Sequence, residues 1–295
     1  VDLTGAENLV WPINRIYTTP EFDAGRGNVW RWGTKTHMMG VINATDDSFS
    51  GDGIAGQVNE AVTLAKRFQA DGVDIIDVGG ASSRPGATPT PISIEKSRVV
   101  PIVEAISSEV DLPISIDTTW AEVAEAAVDA GATVVNDISG FLTDPDLSSL
   151  VADRNVGVVL MHNQRGREYR DVIGDIDAGF ATSLSICASS NVDLSQVILD
   201  PGFGFGWSVE QNLEILRRLN ELTSQELPLL IGTSRKSSIG TVLGANVEER
   251  LFGTAATVTH AICAGIDVVR VHDSSQMRDV VKMTDAIVRR EASAS

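Results

Sequence analysis

The feature that most constrains this sequence is a repeated junction between a helix and a strand. In each copy a glycine ends a helical segment, and two residues later a run of β-branched and other apolar residues ends in polar side chains. Three copies show the pattern most clearly: ADGVDIIDVGG at 70–80, DAGATVVNDISG at 129–140 and CAGIDVVRVHD at 263–273. Apolar runs of this density are typical of parallel strands that are buried on both faces. The repeated unit is therefore a βα unit.

Eight such units follow one another along the chain. The predicted strands are 37–43, 73–78, 113–117, 132–137, 156–162, 196–200, 228–232 and 267–272. A helical segment follows each strand, including single helices at 209–223 and 247–265 and a helix with a Thr119–Glu122 capping box. Eight parallel strands joined by right-handed crossovers close into a barrel, so we predict an α/β fold, a (βα)8 TIM barrel with a short N-terminal extension. A doubly wound open sheet, the competing interpretation, gives no reason to stop at eight evenly spaced strands.

The first 35 residues precede this alternation and show no clear periodicity. They contain Pro12, Pro20 and a turn-like DAGRGN segment at 23–28. We therefore expect an N-terminal extension over 1–35, with a short hairpin around NVWRWGTKT at 28–36, and a single barrel domain over 36–292.

The composition limits the classes of partner. The formal net charge is −17, and a surface this negative repels nucleic acid and anionic membranes. The two cysteines, Cys187 and Cys263, do not have the spacing of a disulfide framework or a zinc site. No signal peptide and no run of 18 uncharged apolar residues is evident in the sequence, so we expect a cytoplasmic protein that acts on small molecules.

Polar side chains occur at the carboxyl end of every predicted strand. In a TIM barrel these ends meet around one site. The residues are Asn43, Asp77, Asp117, Asn136, Asp137, His162, Asp200, Ser234, Arg235, Lys236, Arg270, His272 and Asp273. A shared site accounts for the pattern better than chance does. Individually, Asp77 can equally cap neighbouring backbone, and His162 can equally be a hydrogen-bonded core histidine.

The chemistry of these strand ends suggests a ligand with two parts. Asp117, Asn136 and Asp200 offer two carboxylates and an amide from three strands. A carboxylate binds an amidine-like N–C–NH2 edge through two parallel hydrogen bonds, as it binds a guanidinium. This group of residues therefore suits a flat heterocycle with several N–H donors on one edge.

A second group of residues suits a phosphate. Arg84 lies in the loop after the second predicted strand, and Arg270 and His272 lie at the end of the last one. These three offer cations, and Asn43 adds an amide whose carbonyl oxygen is a possible Mg2+ ligand. The residues alone thus predict a heterocycle that carries a phosphate group, without naming a reaction.

The ordered motifs resemble those of the dihydropteroate synthase family over roughly residues 35 to 290. They are MGVINATDDSFSGDG, DVGGASSRPGA, ISIDT, VVNDISG, VLMH, ILDPGFGFG, IGTSRKSSIG and VRVHD. The resemblance implies a TIM barrel, usually a homodimer, and a transferase of folate biosynthesis that is a target of sulfonamides. It implies the condensation of 6-hydroxymethyl-7,8-dihydropterin pyrophosphate with p-aminobenzoate, with loss of pyrophosphate and with Mg2+ as cofactor.

The resemblance also implies roles for particular residues. The pterin group comprises Asp117, Asn136, Asp200 and Lys236, with Asp200 on the amino-pyrimidine edge and Lys236 near the ring carbonyl. The pyrophosphate and Mg2+ group comprises Asn43, Arg270 and His272, with Asn43 as the metal ligand. The p-aminobenzoate group comprises Ser83, Arg84, Pro85 and Ser237. The loop 44–53 is the implied lid, and the implied catalytic residues are Asn43, Arg84, Lys236, Arg270 and His272.

The implied reaction begins with loss of pyrophosphate, which leaves a methylene cation stabilised by the pterin ring, and the arylamine then attacks that cation. Two alternatives stay open on the sequence: a pterin-dependent methyltransferase domain, and a pterin-binding protein without enzymatic activity. The chain departs from the usual family pattern mainly in the lid and on the p-aminobenzoate side. These positions are Asp46, Ala81, Ser83, Trp207 and Ser238.

Overall fold

The strands form a small hairpin and one large sheet. A computed structural model of the chain describes residues 15–44, 53–82, 88–222 and 226–289. Strands β1 (Glu21–Asp23) and β2 (Val29–Arg31) pair antiparallel, so the hairpin turns at 24–28 and not within the predicted 28–36 segment. The large sheet contains β3 (His37–Asn43), β4 (Ile75–Gly79), β5 (Ile114–Asp117), β6 (Val134–Asp137), β7 (Gly157–Met161), β8 (Val197–Asp200), β9 (Leu230–Ile231) and β10 (Val268–Val271).

The eight strands of the large sheet form a barrel. They are hydrogen-bonded in the order β9, β10, β3, β4, β5, β6, β7, β8, and every neighbouring pair is parallel. Between β8 and β9 the pairing is short: Leu199 forms a parallel bridge with Leu229, and its backbone N–H donates to the carbonyl of Pro228 at 2.9 Å. The predicted (βα)8 TIM barrel is confirmed.

Helices cover the outside of the barrel. They are α1 (Gly53–Asp71), α2 (Ile92–Glu109), α3 (Ala121–Asp129), α4 (Asp146–Arg154), α5 (Val172–Ser190), α6 (Val209–Arg217), α7 (Leu219–Leu222), α8 (Ser237–Leu243), α9 (Leu251–Cys263) and α10 (Ser274–Val288). Within the described ranges, no helix combines the length and the apolar character that crossing a bilayer requires.

Side chains alternate along each strand between the helices and the barrel interior, because successive residues of a strand point to opposite faces. In β4, Ile76 and Val78 belong to the apolar layer beneath the helices. Ile75 and Asp77 point the other way: Ile75 packs in the apolar cluster inside the barrel, and Asp77 contacts Arg270 from β10. The strand thus buries apolar atoms on both faces and a polar group near its carboxyl end.

The hairpin fills the amino end of the barrel. Phe22, Trp30 and Trp32 form an aromatic cluster, with centroid distances of 5.4 Å from Phe22 to Trp30 and 5.9 Å from Trp30 to Trp32. The cluster packs on inward-facing strand residues, namely Met39, Ile75, Val134, Val159, Ile198, Leu230 and Val268. Ala24 fixes the hairpin, since its carbonyl accepts a hydrogen bond from Thr133 Oγ1 at 2.6 Å. The amino end is therefore apolar and closed by aromatic rings.

One predicted helix cap is wrong. α3 begins at Ala121, and no side chain at its N-cap position, Trp120, makes a capping hydrogen bond. The backbone N–H of Ala121 instead donates to Asp144 Oδ2 at 2.9 Å, and Glu122 pairs with Lys96 at 3.2 Å. Asp144, from the loop between β6 and α4, thus caps the helix in place of Thr119. The local sequence motif does not reveal this cap, because the carboxylate comes from a later loop.

Two predicted helices differ from the structure near the C-terminal half of the barrel. The helix predicted at 209–223 is divided at Arg218, whose guanidinium pairs with Asp171, Glu214 and Glu221. In the segment predicted as one helix over 247–265, α9 starts only at Leu251, after a 3-10 turn. The short α8, which follows Lys236 directly, has no predicted counterpart, because SSIGTVLG lacks a clear helical period and contains two glycines.

Replacing Phe22 with alanine tests the role of the hairpin. Phe22 is 1% exposed, and loss of a buried phenylalanine lowers the free energy of unfolding by about 3–5 kcal/mol. We expect that loss in urea denaturation of Phe22→Ala, with substrate KM unchanged because the site lies at the opposite end. Tyr169→Ala, at a half-exposed aromatic, is the control. A stability loss below about 1 kcal/mol would contradict the packing described.

Candidate active site

An arginine and two aspartates from three strands meet inside the carboxyl end of the barrel. Arg270 of β10 contacts Asp77 Oδ2 at 2.7 Å and donates through Nη2 to Asp117 Oδ2 at 3.0 Å. Asn136 Nδ2 donates to the same oxygen of Asp77 at 3.1 Å. Asp77 is fully buried, whereas the side chains of Arg270 and Asp117 are each about one fifth exposed. The cluster is therefore mostly buried, and parts of Arg270 and Asp117 remain open to a ligand.

Strand register explains why these residues meet. In the parallel ladders, Asp117 lies beside Gly79 on one side and beside Asn136 on the other. A Cβ atom at Gly79 would lie 3.3 Å from Asp117 Cβ, which is tighter than ordinary packing. Glycine at the end of β4 thus leaves room for the Asp117 side chain inside the barrel.

The carboxyl group of Asp117 is only partly compensated for its burial. Burial and the neighbouring charge of Asp77 raise the pKa of Asp117 to about 7, against the opposing effect of Arg270. For Arg270, burial favours the neutral form, but the charges of Asp77 and Asp117 outweigh it and raise the pKa of the guanidinium. Arg270 therefore stays charged, and Asp117 is ready to accept hydrogen bonds from a further donor or cation.

Asp200, at the end of β8, is a second buried carboxyl group of this kind. Its Oδ1 accepts a hydrogen bond from the backbone N–H of Gly202 at 2.7 Å. Burial raises the pKa of Asp200 to about 6, although that hydrogen bond and the charges of Lys236 and Arg270 oppose the rise. A ligand with N–H donors would compensate the charge of this carboxylate.

Lys236 follows β9 and lies against an aromatic ring. Its Nζ is 4.2 Å from the ring centroid of Phe205, and the guanidinium carbon of Arg165 is 4.7 Å from the same centroid. Burial and the charge of Arg270 lower the pKa of Lys236 to about 8. Gly204 has φ +83°, and a Cβ there would lie 3.0 Å from Lys236 Cδ. The glycine-rich turn after β8 thus accommodates the lysine stem.

His272 is uncharged near neutral pH, in contrast to the cation expected from the sequence. Its ring Nδ1 lies 3.0 Å from Ser234 Oγ, and its backbone N–H donates to the same oxygen at 3.2 Å. Burial and the charges of Arg270 and Arg235 lower the pKa of His272 to about 4. The imidazole can still donate one N–H to an anionic ligand.

The remaining predicted residues are placed as follows. Asn43 is exposed at the end of β3, and Ser237 is exposed at the start of α8. Ser83, Arg84, Pro85 and most of the 44–53 loop lie outside the described residues. Asp137 and His162 lie away from the Arg270 cluster. Asp137 accepts hydrogen bonds from the backbone N–H groups of Ser139 and Phe141, and His162 Nε2 pairs with Gln164 Oε1 at 2.9 Å.

Three contributors to the site have no ligand role in the sequence-based prediction, although Asp77 and Ser234 are among the polar strand ends that it gathers at this site. Asp77 is a single charged residue within a buried strand. The sequence shows this signal of a functional residue, but a backbone-capping role explains it equally well. Ser234 has only its place at a strand end. Phe205 has no local signal, because GFGFG alone indicates a flexible turn.

The described residues do not contain a resident metal centre. In these ranges no group of three or more histidine, cysteine, aspartate and glutamate side chains could hold a metal ion. Asn43 offers one amide oxygen, which is a hard ligand. Mg2+ typically takes one or two protein ligands, several waters and oxygens of substrate phosphates. The site therefore fits a Mg2+ ion that is shared with a phosphate-bearing substrate.

Comparisons with known proteins give a consistent result. The family described as "Pterin binding enzyme" matches residues 39–272. A dihydropteroate synthase of Synechocystis is 41% identical over 281 residues, covering 92% of this chain and 97% of that protein. The enzyme of Bacillus subtilis is 43% identical over 256 residues, covering 87% of this chain and 90% of that protein.

Solved structures of the same enzyme resemble the fold. One from Clostridium difficile, determined in the presence of pteroic acid, has a TM-score of 0.86 at 43% identity and covers 88% of this chain and 100% of that one. One from Xanthomonas albilineans with 4-aminobenzoic acid has a TM-score of 0.86 at 36% identity and covers 91% of this chain and 98% of that one.

Replacing Asp200 with asparagine tests the energetic cost of the buried carboxylate. The folded-state pKa is raised from 3.8 to about 6, so the cost is absent below about pH 4 and complete above about pH 6. We expect Asp200→Asn to increase the free energy of unfolding at pH 8 by roughly 1–3 kcal/mol, and to lose that gain at pH 4. Asp153→Asn, at an exposed position of α4, is the control. A less stable Asp200→Asn protein at pH 8 would contradict the burial argument.

Proposed function

The chain belongs to the dihydropteroate synthase family of pterin-binding enzymes, and on that premise we propose how its residues perform the reaction. It is a transferase of folate biosynthesis that condenses 6-hydroxymethyl-7,8-dihydropterin pyrophosphate with p-aminobenzoate to give 7,8-dihydropteroate and pyrophosphate. The observation that carries the assignment of roles is the buried cluster of Arg270, Asp77 and Asp117, with Asp200 and Lys236 at the same barrel end.

Asp200, Asp117 and Asn136 bind the pterin ring. The amino-pyrimidine edge carries adjacent N–H donors, which match the two oxygens of a carboxylate. Asp200 receives this edge, because burial leaves its charge in need of donors. Asp117 and Asn136 lie on adjacent strands and meet the remaining polar atoms of the ring. Lys236 donates to the ring carbonyl from above the Phe205 ring.

Arg270, His272 and Asn43 hold the departing pyrophosphate. Arg270 is already oriented by two carboxylates, so little side-chain freedom is lost when it meets the phosphate. The neutral His272 contributes an N–H donor, and Asn43 contributes its amide. When Mg2+ is bound, Asn43 and the pyrophosphate would hold it, and the ion would neutralise charge on the leaving group. We assign Arg84 to two ligands, the departing pyrophosphate and p-aminobenzoate.

The reaction needs positioned charges more than a nucleophile from the protein. The C–O bond between the pterin methylene and the pyrophosphate breaks, and the bonding electron pair leaves with the pyrophosphate. The resulting methylene cation is conjugated with the pterin ring and lies near the carboxylates of Asp117 and Asp200. The amine nitrogen of p-aminobenzoate then forms the new C–N bond and releases one proton. Preorganised charges that match this charge separation lower the barrier.

The p-aminobenzoate side comprises Ser83, Arg84 and Pro85 from the β4–α2 loop and Ser237 from the start of α8. Ser237 is exposed beside Lys236, where it can reach an incoming carboxylate. We further assign residues 44–53 the role of a lid over the pyrophosphate.

A pyrophosphate-release assay tests the activity. We expect pyrophosphate release when the purified protein is mixed with the pterin pyrophosphate, p-aminobenzoate and Mg2+. Arg270→Ala should lower turnover by at least about 100-fold, because the pyrophosphate leaving group loses the charge of the Arg270 guanidinium. Arg278→Ala, at a partly exposed arginine on α10 that pairs with Asp279, is the control. Pterin binding without release would identify a binding protein, and methyl transfer to a corrinoid would identify the methyltransferase alternative.

The chain also has an exposed apolar surface that is suited to contact with a second copy of the protein. This surface, the α8–α9 patch, comprises Val242, Leu243, Val247 and Phe252. Phe252 is 84% exposed, and a Cβ at the adjacent Gly253 would lie 2.9 Å from Leu243 Cδ1, so the two helices pack closely here. Large exposed apolar groups in one segment are typical of interfaces. We propose that the protein is a homodimer through this patch.

Other assignments of compartment and organisation are proposals as well. The protein acts on small molecules in the cytoplasm, without nucleic acid or membrane partners. Both cysteines are free thiols, as suits a reducing compartment. Residues 1–35 form an extension, and residues 36–292 form the single barrel domain.

Introducing a charge at Phe252 tests the dimer. A buried, unpaired carboxylate at an interface is strongly unfavourable, so we expect Phe252→Glu to sediment as a monomer at micromolar concentration while the wild type sediments as a dimer. Analytical ultracentrifugation makes the measurement. Ile94→Glu, an equivalent change on α2, should remain a dimer. If the Phe252→Glu protein stays dimeric, the patch is not the interface.

A further inference from the structure

The turn that carries Lys236 contains a residue in an unfavourable backbone conformation. Arg235 has φ +58°, which lies in the left-handed region that residues other than glycine and asparagine rarely adopt. Such a conformation persists only where the surroundings hold it. Because Arg235 directly precedes Lys236, whatever holds it also sets the direction in which the lysine leaves the backbone.

Three side chains from the start of α9 hold this turn. Arg250 Nη1 donates to the carbonyl of Arg235 at 3.0 Å. The backbone N–H of Arg235 donates to Thr254 Oγ1 at 3.2 Å, and Thr257 Oγ1 donates to Thr233 Oγ1 at 2.9 Å. Both backbone polar groups of the strained residue are thus bonded to one helix. We call Arg250, Thr254 and Thr257 the α9 clamp.

The spacing of the α9 clamp is that of a single helix face. Residues 250, 254 and 257 are separated by four and three positions, which places them one above the other along a helix. Thr254 is fully buried. The three side chains therefore act on the turn from one direction.

Arg250 is itself held between two helices. Its Nε donates to the carbonyl of Ala245 at 3.2 Å. A Cβ at Gly240 would lie 2.3 Å from Arg250 Nη2 and 2.5 Å from its Cζ, so only glycine leaves room for the guanidinium against α8. Since α8 begins at the residue after Lys236, Arg250 connects both sides of the lysine.

The side chain of Arg235 ties the same turn to the end of β10. Its Nε donates to Asp273 Oδ2 at 3.0 Å, and its Nη2 contacts Asp273 Oδ1. Asp273 directly follows His272. The turn is thus fixed from α9 on its backbone and from β10 through its side chain.

We propose that the α9 clamp consists of positioning residues, which hold Arg235 in its left-handed conformation and thereby place Lys236 in the pterin site. The clamp acts through the turn and not by contact with the reacting atoms. This inference rests on the proposed contact between Lys236 and the pterin ring, and the experiment below separates the two claims.

The test compares matched variants. Arg250→Met removes the guanidinium donors, and Gly240→Ala displaces the same guanidinium with one methyl group. Thr254→Val removes the hydroxyl at nearly constant shape, whereas Thr254→Ser keeps it. Arg217→Met, at an exposed arginine of α6 that pairs with Glu210, is the control for loss of an arginine.

The first readout is the titration of Lys236 itself. The lysines of the chain are Lys35, Lys66, Lys96, Lys236 and Lys282. After reductive methylation with labelled carbon, their methyl signals are followed by NMR against pH, and the signal absent from Lys236→Arg is assigned to Lys236. We expect this titration to move upward by at least about half a pH unit in Arg250→Met, Gly240→Ala and Thr254→Val, because the ammonium leaves its buried position. Thr254→Ser and Arg217→Met should titrate like the wild type.

The second readout is pterin affinity by calorimetry. We expect a loss of about tenfold in the three disruptive variants, since small misplacements of a contact group have effects of this order or larger. An unchanged Lys236 titration in Arg250→Met and Thr254→Val would overturn the positioning role, even if either variant were less stable. A shifted titration with unchanged pterin affinity would support the clamp and reject the pterin role of Lys236.

Discussion

The ion cluster of Arg270 with Asp77 and Asp117 is the interaction on which the site depends. Two carboxylates inside a barrel repel each other and lose hydration, and a single guanidinium with planar, bidentate donor geometry compensates both. The guanidinium compensates the two negative charges only in part, as the raised pKa of Asp117, near 7, indicates. A cluster of this kind contributes little net stability, and its effect is to hold one cation and two acceptors in fixed geometry. That geometry suits a substrate that separates into a cationic ring system and an anionic leaving group.

The barrel allows this cluster because its two ends are different. At the amino end, the rings of Phe22, Trp30 and Trp32 fill the interior with apolar atoms. At the carboxyl end, the same inward-facing positions carry Asp77, Asn136 and Arg270 instead. The period of two along each strand keeps the opposite face apolar beneath the helices. The apolar amino end and the apolar outer face thus stabilise the barrel, and the carboxyl end carries the polar groups of the site. The fold therefore accommodates these buried polar groups.

The region from α8 to α9 joins two proposed properties of the protein. The α8–α9 patch is exposed, and the α9 clamp lies on the buried side of the same helix pair, where Arg250 reaches Arg235. A second copy bound at the patch would therefore contact the same helix pair that carries the α9 clamp.

Eight continuous apolar runs and the helical segments between them are local patterns, so the barrel follows from the sequence alone. The sequence also determined that polar groups gather at one end, and it singled out Asp117, Asn136, Asp200, Lys236 and Arg270, which the structure brings to that end. Folding alone brings Asp77 to Arg270 and the ring of Phe205 to Lys236, and folding also makes His272 neutral and forms the helix α8. These features depend on groups far apart in the chain and on the burial that folding creates, so no local pattern encodes them.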